Sequence, residues 1–251
     1  MCTLTFVPTV DGYLAGMNRD ELLTRPSALP PEIYGREGMK VVYPREPSGG
    51  TWIACNGSGN LLALLNWNEI GSASSGEKRK TRGLVIPELI REVSSSSTNS
   101  CLKRLNLDGV FPFRLIGVFQ NERKLIEWRW DGTGIQQLGW AWARKHWFSS
   151  SLSDARATAE RGQVCDAAVI DPAVGSLHWL RQVHRSHEPK PGPYSICVHR
   201  QDASTFSYTE VECDRSSISM RYLSGSPCLK DKFDEFTTVH LSGSLAARHF
   251  A

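Results

Sequence analysis

The sequence predicts an α+β protein of stacked antiparallel sheets covered by helices. Apolar runs of strand length recur in pairs around turn residues, about eight or more in all, while only two or three segments carry helical spacing. The chain's 251 residues, 40% of them hydrophobic, are enough to bury one large core. A single domain over residues 1–251 is expected, with a polar tail from about residue 229.

The first element is a β-hairpin. TLTFV (3–7) and YLAGM (13–17) are separated by Pro8, Thr9 and the turn pair Asp11-Gly12. With Asp11-Gly12 at the centre of a tight turn, Val10 faces Tyr13, Thr3 faces Asp20 and Cys2 faces Glu21; a bulge at Pro8 would move this register by a residue or two. Opposed residues lie about 5 Å apart, so the hairpin delivers Cys2 to the cluster Asn18-Arg19-Asp20-Glu21.

RPSALPPEIYGREG (25–38) is too rich in proline for regular structure and reads as a surface excursion. GGTWIACNGSGNLLALLNWNE (49–69) reads as strand, turn, strand, with Asn66 and then Trp67 at the exit; the unbroken LLALL predicts a strand covered on both faces. GSASSGEKRKTRG (71–83) reads as a flexible loop. In LVIPELIREVSSSS (84–97) the apolar spacing is helical and Pro87 falls in a first turn. FRLIGVF (113–119) and KLIEWRW (124–130) form another hairpin. SLSDARATAERG (151–162) predicts a short helix ending at Gly162, HEPKPGP (187–193) a rigid connector, and YSICVHR, STFSYTEVEC and SISMRYLSG (within 194–225) three further strands.

Composition excludes several function classes. A net charge of +3, from 29 basic against 26 acidic residues, gives no case for nucleic acid, and Lys78-Arg79-Lys80 with Arg82 reads as a solvated run. Seven dispersed cysteines without a CxxC argue against a disulfide framework and against a zinc knuckle, and for a reducing compartment. No secretory signal pattern and no apolar run near the roughly 20 residues of a membrane span are present, so the chain is expected to be cytoplasmic. His178, His184 and His187 flank the proline-rich connector without a clear third or fourth ligand, and no metal is expected. Trp128, Trp130, Trp140, Trp142 and Trp147 read as packing residues, with an apolar ligand cavity as the alternative.

The motifs Asn18-Arg19-Asp20-Glu21, Arg25-Pro26, Gly49-Gly50-Thr51-Trp52 and Leu62-Ala63-Leu64-Leu65-Asn66 stand in the order of the NRDE-motif family, also called the transport and Golgi organisation 2 family, which the chain resembles. Weaker matches follow at Arg82-Gly83, Phe148 to Leu152 and Ser195 to Val198. That family is similar in turn to N-terminal-nucleophile hydrolases of the cholylglycine hydrolase type. The resemblance implies a four-layer αββα sandwich and an enzyme that cuts amide bonds after Met1 is removed. It assigns Cys2 as nucleophile and, through its own α-amine, as base; Asp20 would orient that amine, Arg19 polarise and Asn66 bind the oxyanion. Asn18, Trp67, Ser150, His199 and Arg200 are the expected substrate-binding residues. The chain departs from the pattern at Ser150, where an Asn is expected, and at Phe206, where many relatives carry Arg.

The chemistry agrees with this assignment. A thiol with a pKa of about 8.5 needs a nearby cation or base, and a free α-amine titrating at about 7.7 to 8 can serve. The first functional reading is therefore a cysteine amidohydrolase or acyl transferase acting on a small amide or thioester, with no cofactor needed for catalysis. The second, again implied by the resemblance, is a non-catalytic carrier that binds haem, a lipid or acyl-CoA in the same cleft. The sequence leaves the oligomeric state open.

Overall fold

The computed structural model of the chain describes residues 2–35, 38–70, 80–229 and 235–242. The strands are Cys2–Pro8 (β1), Tyr13–Leu22 (β2), Leu29–Tyr34 (β3), Val41–Arg45 (β4), Ile53–Asn56 (β5), Leu61–Asn66 (β6), Phe113–Phe119 (β7), Lys124–Trp130 (β8), Ile135–Trp140 (β9), Lys145–Ser149 (β10), Ala203–Cys213 (β11), Ser217–Ser224 (β12) and Thr237–Ser242 (β13). They form two sheets, in the orders β10-β1-β2-β11-β12-β13 and β3-β4-β5-β6-β7-β8-β9. The helices are Val85–Leu89 (α1), Ser95–Arg104 (α2), Asp154–Ala167 (α3) and Leu177–Arg185 (α4).

Strand alternation sorts the apolar side chains into layers. Leu61, Ala63 and Leu65 of β6 meet Leu4 and Phe6 of β1 and Ala15 and Met17 of β2 between the sheets, while Leu62 and Leu64 face α1 and α2. The outer face of the first sheet buries Val7, Leu14 and Phe148 against Ala157 of α3 and Trp179 of α4. The order is helix, sheet, sheet, helix. LLALL is covered on both faces, as its unbroken apolar run implies.

The opening hairpin turns more widely than expected. Cys2 pairs with Arg19 rather than Glu21, and Thr3 with Asn18 rather than Asp20. Pro8 has no N–H to give a ladder interior, so it takes the last pair, opposite Tyr13, and residues 9 to 12 form the loop, closed by a 3.0 Å bond from the Thr9 N–H to the Gly12 carbonyl. Gly12 is required there, because a Cβ would lie 1.9 Å from the Cys213 carbonyl oxygen.

Other elements also differ. The proline-rich segment includes β3, which tolerates Pro30 and Pro31 as an outermost strand whose register shifts between Leu29 and Glu32. The helix expected over 84–97 is two helices, because Ser94 forms a capping box with Ser97 and starts α2. α3 runs through Gly162 to Ala167, α4 adds a helix not foreseen, and YSICVHR makes only a bridge from His199 to Ser204. The expected polar tail contains β13; residues 230–234 and 243–251, like 71–79 of the expected loop, lie outside the described residues.

The five tryptophans pack, and four of them use their N–H groups, whereas the Trp142 indole nitrogen is buried with no hydrogen-bond partner among the described residues. Trp128 donates to Asn99 (3.0 Å), Trp130 to the Val110 carbonyl (3.0 Å), and Trp140 and Trp147 to the buried Glu127 carboxylate (3.0 and 3.1 Å). Arg114 and Arg129 each approach Glu127 to 2.8 Å, and against the cost of burial they hold its carboxyl below the ordinary range.

Candidate functional site

At its first residue β1 lies between Ser149 of β10 and Arg19 of β2. Directly paired residues of antiparallel strands project to the same face, so Cys2 and Arg19 share the inner face and Asp20 turns to the helix side. Cys2 is 7% exposed and borders a cleft of about 300 Å³ that Arg19, Asn66, Lys80, Arg82 and Phe111 also line.

Arg19 is held from two sides. Its Nη2 lies 2.6 Å from Glu46 Oε1 and 3.2 Å from Glu21 Oε1, and its guanidinium sits 4.5 Å over the Trp52 ring. Arg25 extends the network, 3.3 Å from Glu21 and 3.9 Å from Glu46. Across the cleft, Arg82 donates to the Pro112 carbonyl at 3.1 Å and lies 5.5 Å over Phe111; burial lowers its pKa, with Cys2 and Glu21 opposing. Among the described residues, Arg19, Arg25, Lys80 and Arg82 therefore outnumber the cleft's carboxylates, Glu21 and Glu46. Arg82, from the run expected to be solvated, is instead partly buried against the cleft, a correction with a functional consequence, whereas Lys80 is exposed as expected and stands at the cleft's rim; Lys78 and Arg79 lie outside the described residues.

Behind the cysteine, Asp20 is fully buried. Thr205 donates to its Oδ1 at 2.7 Å, and the Arg161 Nη2 lies 3.7 Å from its Oδ2. Arg161 also donates to the Cys2 carbonyl (3.3 Å) and to Thr3 Oγ1 (2.8 Å), so one buried guanidinium ties the start of β1 to Asp20. Burial raises the Asp20 pKa and Arg161 and Thr205 oppose the rise; burial likewise pushes the Cys2 thiol up, with the Asp20 and Glu21 charges adding to the effect and Arg19 opposing it. The register shift between Thr205 and Ser207 makes Phe206 a bulge residue, which aligns Thr205 with Asp20 and Ser207 with Arg19. Sequence reasoning missed Arg161. Its spacing with Ala157 and Cys165, which puts all three on the buried face of α3, was the signal available.

The structure brings Cys2, Arg19 and Asn66 to one cleft, with Asp20 behind it, and places the five expected substrate-binding residues elsewhere. Asn18 donates to the carbonyls of His184 (2.8 Å) and Ile196 (2.9 Å), a packing role. Trp67 lies under Arg129 at 5.6 Å. Ser150 receives Asn68 on its carbonyl and donates its N–H to Asp154. Arg200 pairs with Asp202 at 2.7 Å. His199 stands 3.2 Å from Cys228 Sγ in a separate donor group with His187 and Cys197. The expectation of no third or fourth donor therefore does not hold for His187; His184 instead bonds Asn18 and Thr5.

Two solved structures of conjugated bile acid hydrolase from Clostridium perfringens, one of them the C2A mutant, are similar to this chain. The C2A structure shares 10% identity at a TM-score of 0.54, covering 98% of each chain; the other, a second variant, shares 12% at 0.53 and covers all of both. Penicillin V acylase from Agrobacterium tumefaciens shares 11% at 0.52, over 89% of this chain and 83% of its own. These likenesses show an N-terminal-nucleophile hydrolase fold. No curated protein sequence matches the chain. The family model described as Transport and Golgi organisation 2 matches residues 1–163, more than half of the chain, and it is to this family that the chain belongs.

Proposed function

We propose that the chain is an N-terminal-cysteine amidohydrolase or acyl transferase acting on a small amide or thioester that carries an anionic group. One observation supports this above the others: Cys2 borders a cleft in which cationic side chains outnumber carboxylates and to which Asn66 also contributes. Removal of Met1 frees the α-amine of Cys2. That amine takes the thiol proton as Sγ attacks the substrate carbonyl, and the Asn66 amide donates to the oxyanion. The protonated amine then gives its proton to the departing amine or thiol, leaving an acyl-cysteine that water or an acceptor amine resolves. Asp20, held by Thr205 and Arg161, orients the amine, and Lys80 and Arg82 receive the anionic group.

Burial of the thiol makes this base necessary, because the environment alone disfavours the thiolate. Chain retaining Met1 is therefore expected to alkylate at Cys2 only as pH rises past the ordinary thiol range. Chain lacking Met1 should react at least about tenfold faster near pH 7.5. Iodoacetamide labelling read by peptide mass spectrometry checks both forms; equal rates at neutral pH would remove the amine from the mechanism.

The carrier reading finds less support. Haem needs an apolar slot and an axial ligand; among the described residues that line the cleft the candidate ligands are Cys2, whose burial disfavours the thiolate, and the exposed Lys80, and the walls are charged, so the residues present do not fit it. Seven unpaired cysteines support a reducing compartment such as the cytoplasm, and no described helix is long and apolar enough to cross a membrane.

A further inference from the structure

Four donor residues that the Cys2 cleft does not use converge from three segments. His187 follows α4, Cys197 and His199 lie in the coil before β11, and Cys228 lies in the turn after β12. Their ligand atoms all fall within 4.8 Å of one another. In a tetrahedral zinc site of two thiolates and two imidazoles, metal–ligand bonds of about 2.0 to 2.3 Å put neighbouring donors about 3.3 to 3.8 Å apart. His199 Nε2 already lies 3.2 Å from Cys228 Sγ and 3.8 Å from Cys197 Sγ. The His187 and His199 rings meet at 69° with centroids 4.8 Å apart, an edge-on arrangement that leaves room for two ring nitrogens to address one point. His187 Nε2 is buried and has no hydrogen-bond partner among the described residues, so the group lacks what a cation would supply.

We propose that His187, Cys197, His199 and Cys228 form a closed, four-coordinate site for a zinc-class divalent cation. Two thiolates and two neutral imidazoles make the centre neutral overall, which suits its half-buried position, and binding releases the two thiol protons. All four positions are protein ligands, so the role is structural rather than catalytic. The ion would join three segments that share no strand ladder. It would also brace the cleft: Val198, between two ligands, donates its N–H to Thr205 Oγ1 at 2.8 Å, and Thr205 holds Asp20. The proposal is independent of the reading of Cys2.

Zinc content of the reduced full-length chain, measured by plasma mass spectrometry, and a cobalt(II) titration of the metal-stripped chain test it. The expected result is about one ion per chain, with intense visible bands of tetrahedral cobalt and thiolate-to-cobalt charge transfer in the near ultraviolet. Cys228→Ser and His187→Gln should each weaken cobalt binding by at least about tenfold, with circular dichroism monitoring the fold. If either variant fails to fold, protection of Cys197 and Cys228 from alkylation by bound cobalt in the unaltered chain decides the matter. Absence of stoichiometric metal, cobalt spectra unchanged in a folded variant, unprotected thiols, or a Cys197–Cys228 disulfide under reducing conditions would each overturn the site.

Discussion

Asp20 and Arg161 show how much of the site is buried support rather than exposed chemistry. Neither side chain reaches solvent, and their charges lie 3.7 Å apart with Thr205 and the Cys2 carbonyl as further partners. Removing one charge from such a pair strands the other in a desolvated place, which typically costs about 3 to 5 kcal/mol, whereas removing both costs much less. Asp20→Asn is therefore expected to lose about 3 kcal/mol in urea unfolding and Arg161→Met a similar amount, with the double variant recovering at least about 1 kcal/mol of the sum. Strict additivity would mean that the pair is not coupled. The sequence does not show that α3 supplies Asp20 with a buried counter-ion, so this cost is legible only in the fold. Catalytic comparisons should accordingly be made per folded molecule.

At the scale of elements, strands with strong alternation or unbroken apolar runs were legible, and those set by tertiary packing were not. TLTFV and LLALL declare themselves, whereas YSICVHR has a strand's composition but spends its backbone bonds on Ser186 and Thr205 instead of a ladder. α4 is hidden in the sequence because His178 and His184 read there as candidate ligands, whereas His184 belongs to the helix's buried face with Trp179, Leu180 and Val183. His184 turns inward, where Nδ1 lies 3.1 Å from Asn18 Oδ1 and Nε2 3.0 Å from Thr5 Oγ1. Burial drives its pKa down to about 3, and burial with the Arg144 and Lys145 charges drives His146 on β10 to about 4. Both stay neutral in the fold where the unfolded chain takes up protons near pH 6.5, so the stability they allow is complete above that pH and lost as pH falls toward their folded values. Between pH 7 and pH 5 each histidine is expected to remove about 2 kcal/mol from the unfolding free energy. His184→Asn should make the pH slope shallower while lowering stability at pH 7; an unchanged slope would assign the acid sensitivity elsewhere.

Across the whole molecule, the cleft is assembled from segments far apart in sequence. β1 and β2 bring Cys2 and Arg19, the loop before β5 brings Trp52, β6 ends at Asn66, and the segment before α1 brings Lys80 and Arg82. The NRDE cluster and the GGTW to LLN pattern made the first three legible. The contribution of Lys80 and Arg82 was hidden, because a basic run in a Gly/Ser-rich stretch looks the same whether it faces water or folds over a site. Their placement leaves the cleft, among the described residues, with four cations against two carboxylates, and such a balance raises the local concentration of anions. Cys2 itself can report this potential. Iodoacetate and iodoacetamide attack the same sulfur with similar size but differ by one negative charge, so the ratio of their alkylation rates measures the field at the thiol. For the unaltered chain at pH 9 that ratio should exceed the value for glutathione, and it should fall several-fold between about 0.05 and 0.5 M salt as the field is screened. Lys80→Glu combined with Arg82→Glu reverses the balance and is expected to lower the ratio by about tenfold, with the iodoacetamide rate changed much less. If both reagents slow together, the substitutions have disturbed access to the cleft rather than its charge. A ratio indifferent to salt and to charge reversal would show that the cations do not act at the thiol, and the preference for an anionic substrate would lose its basis.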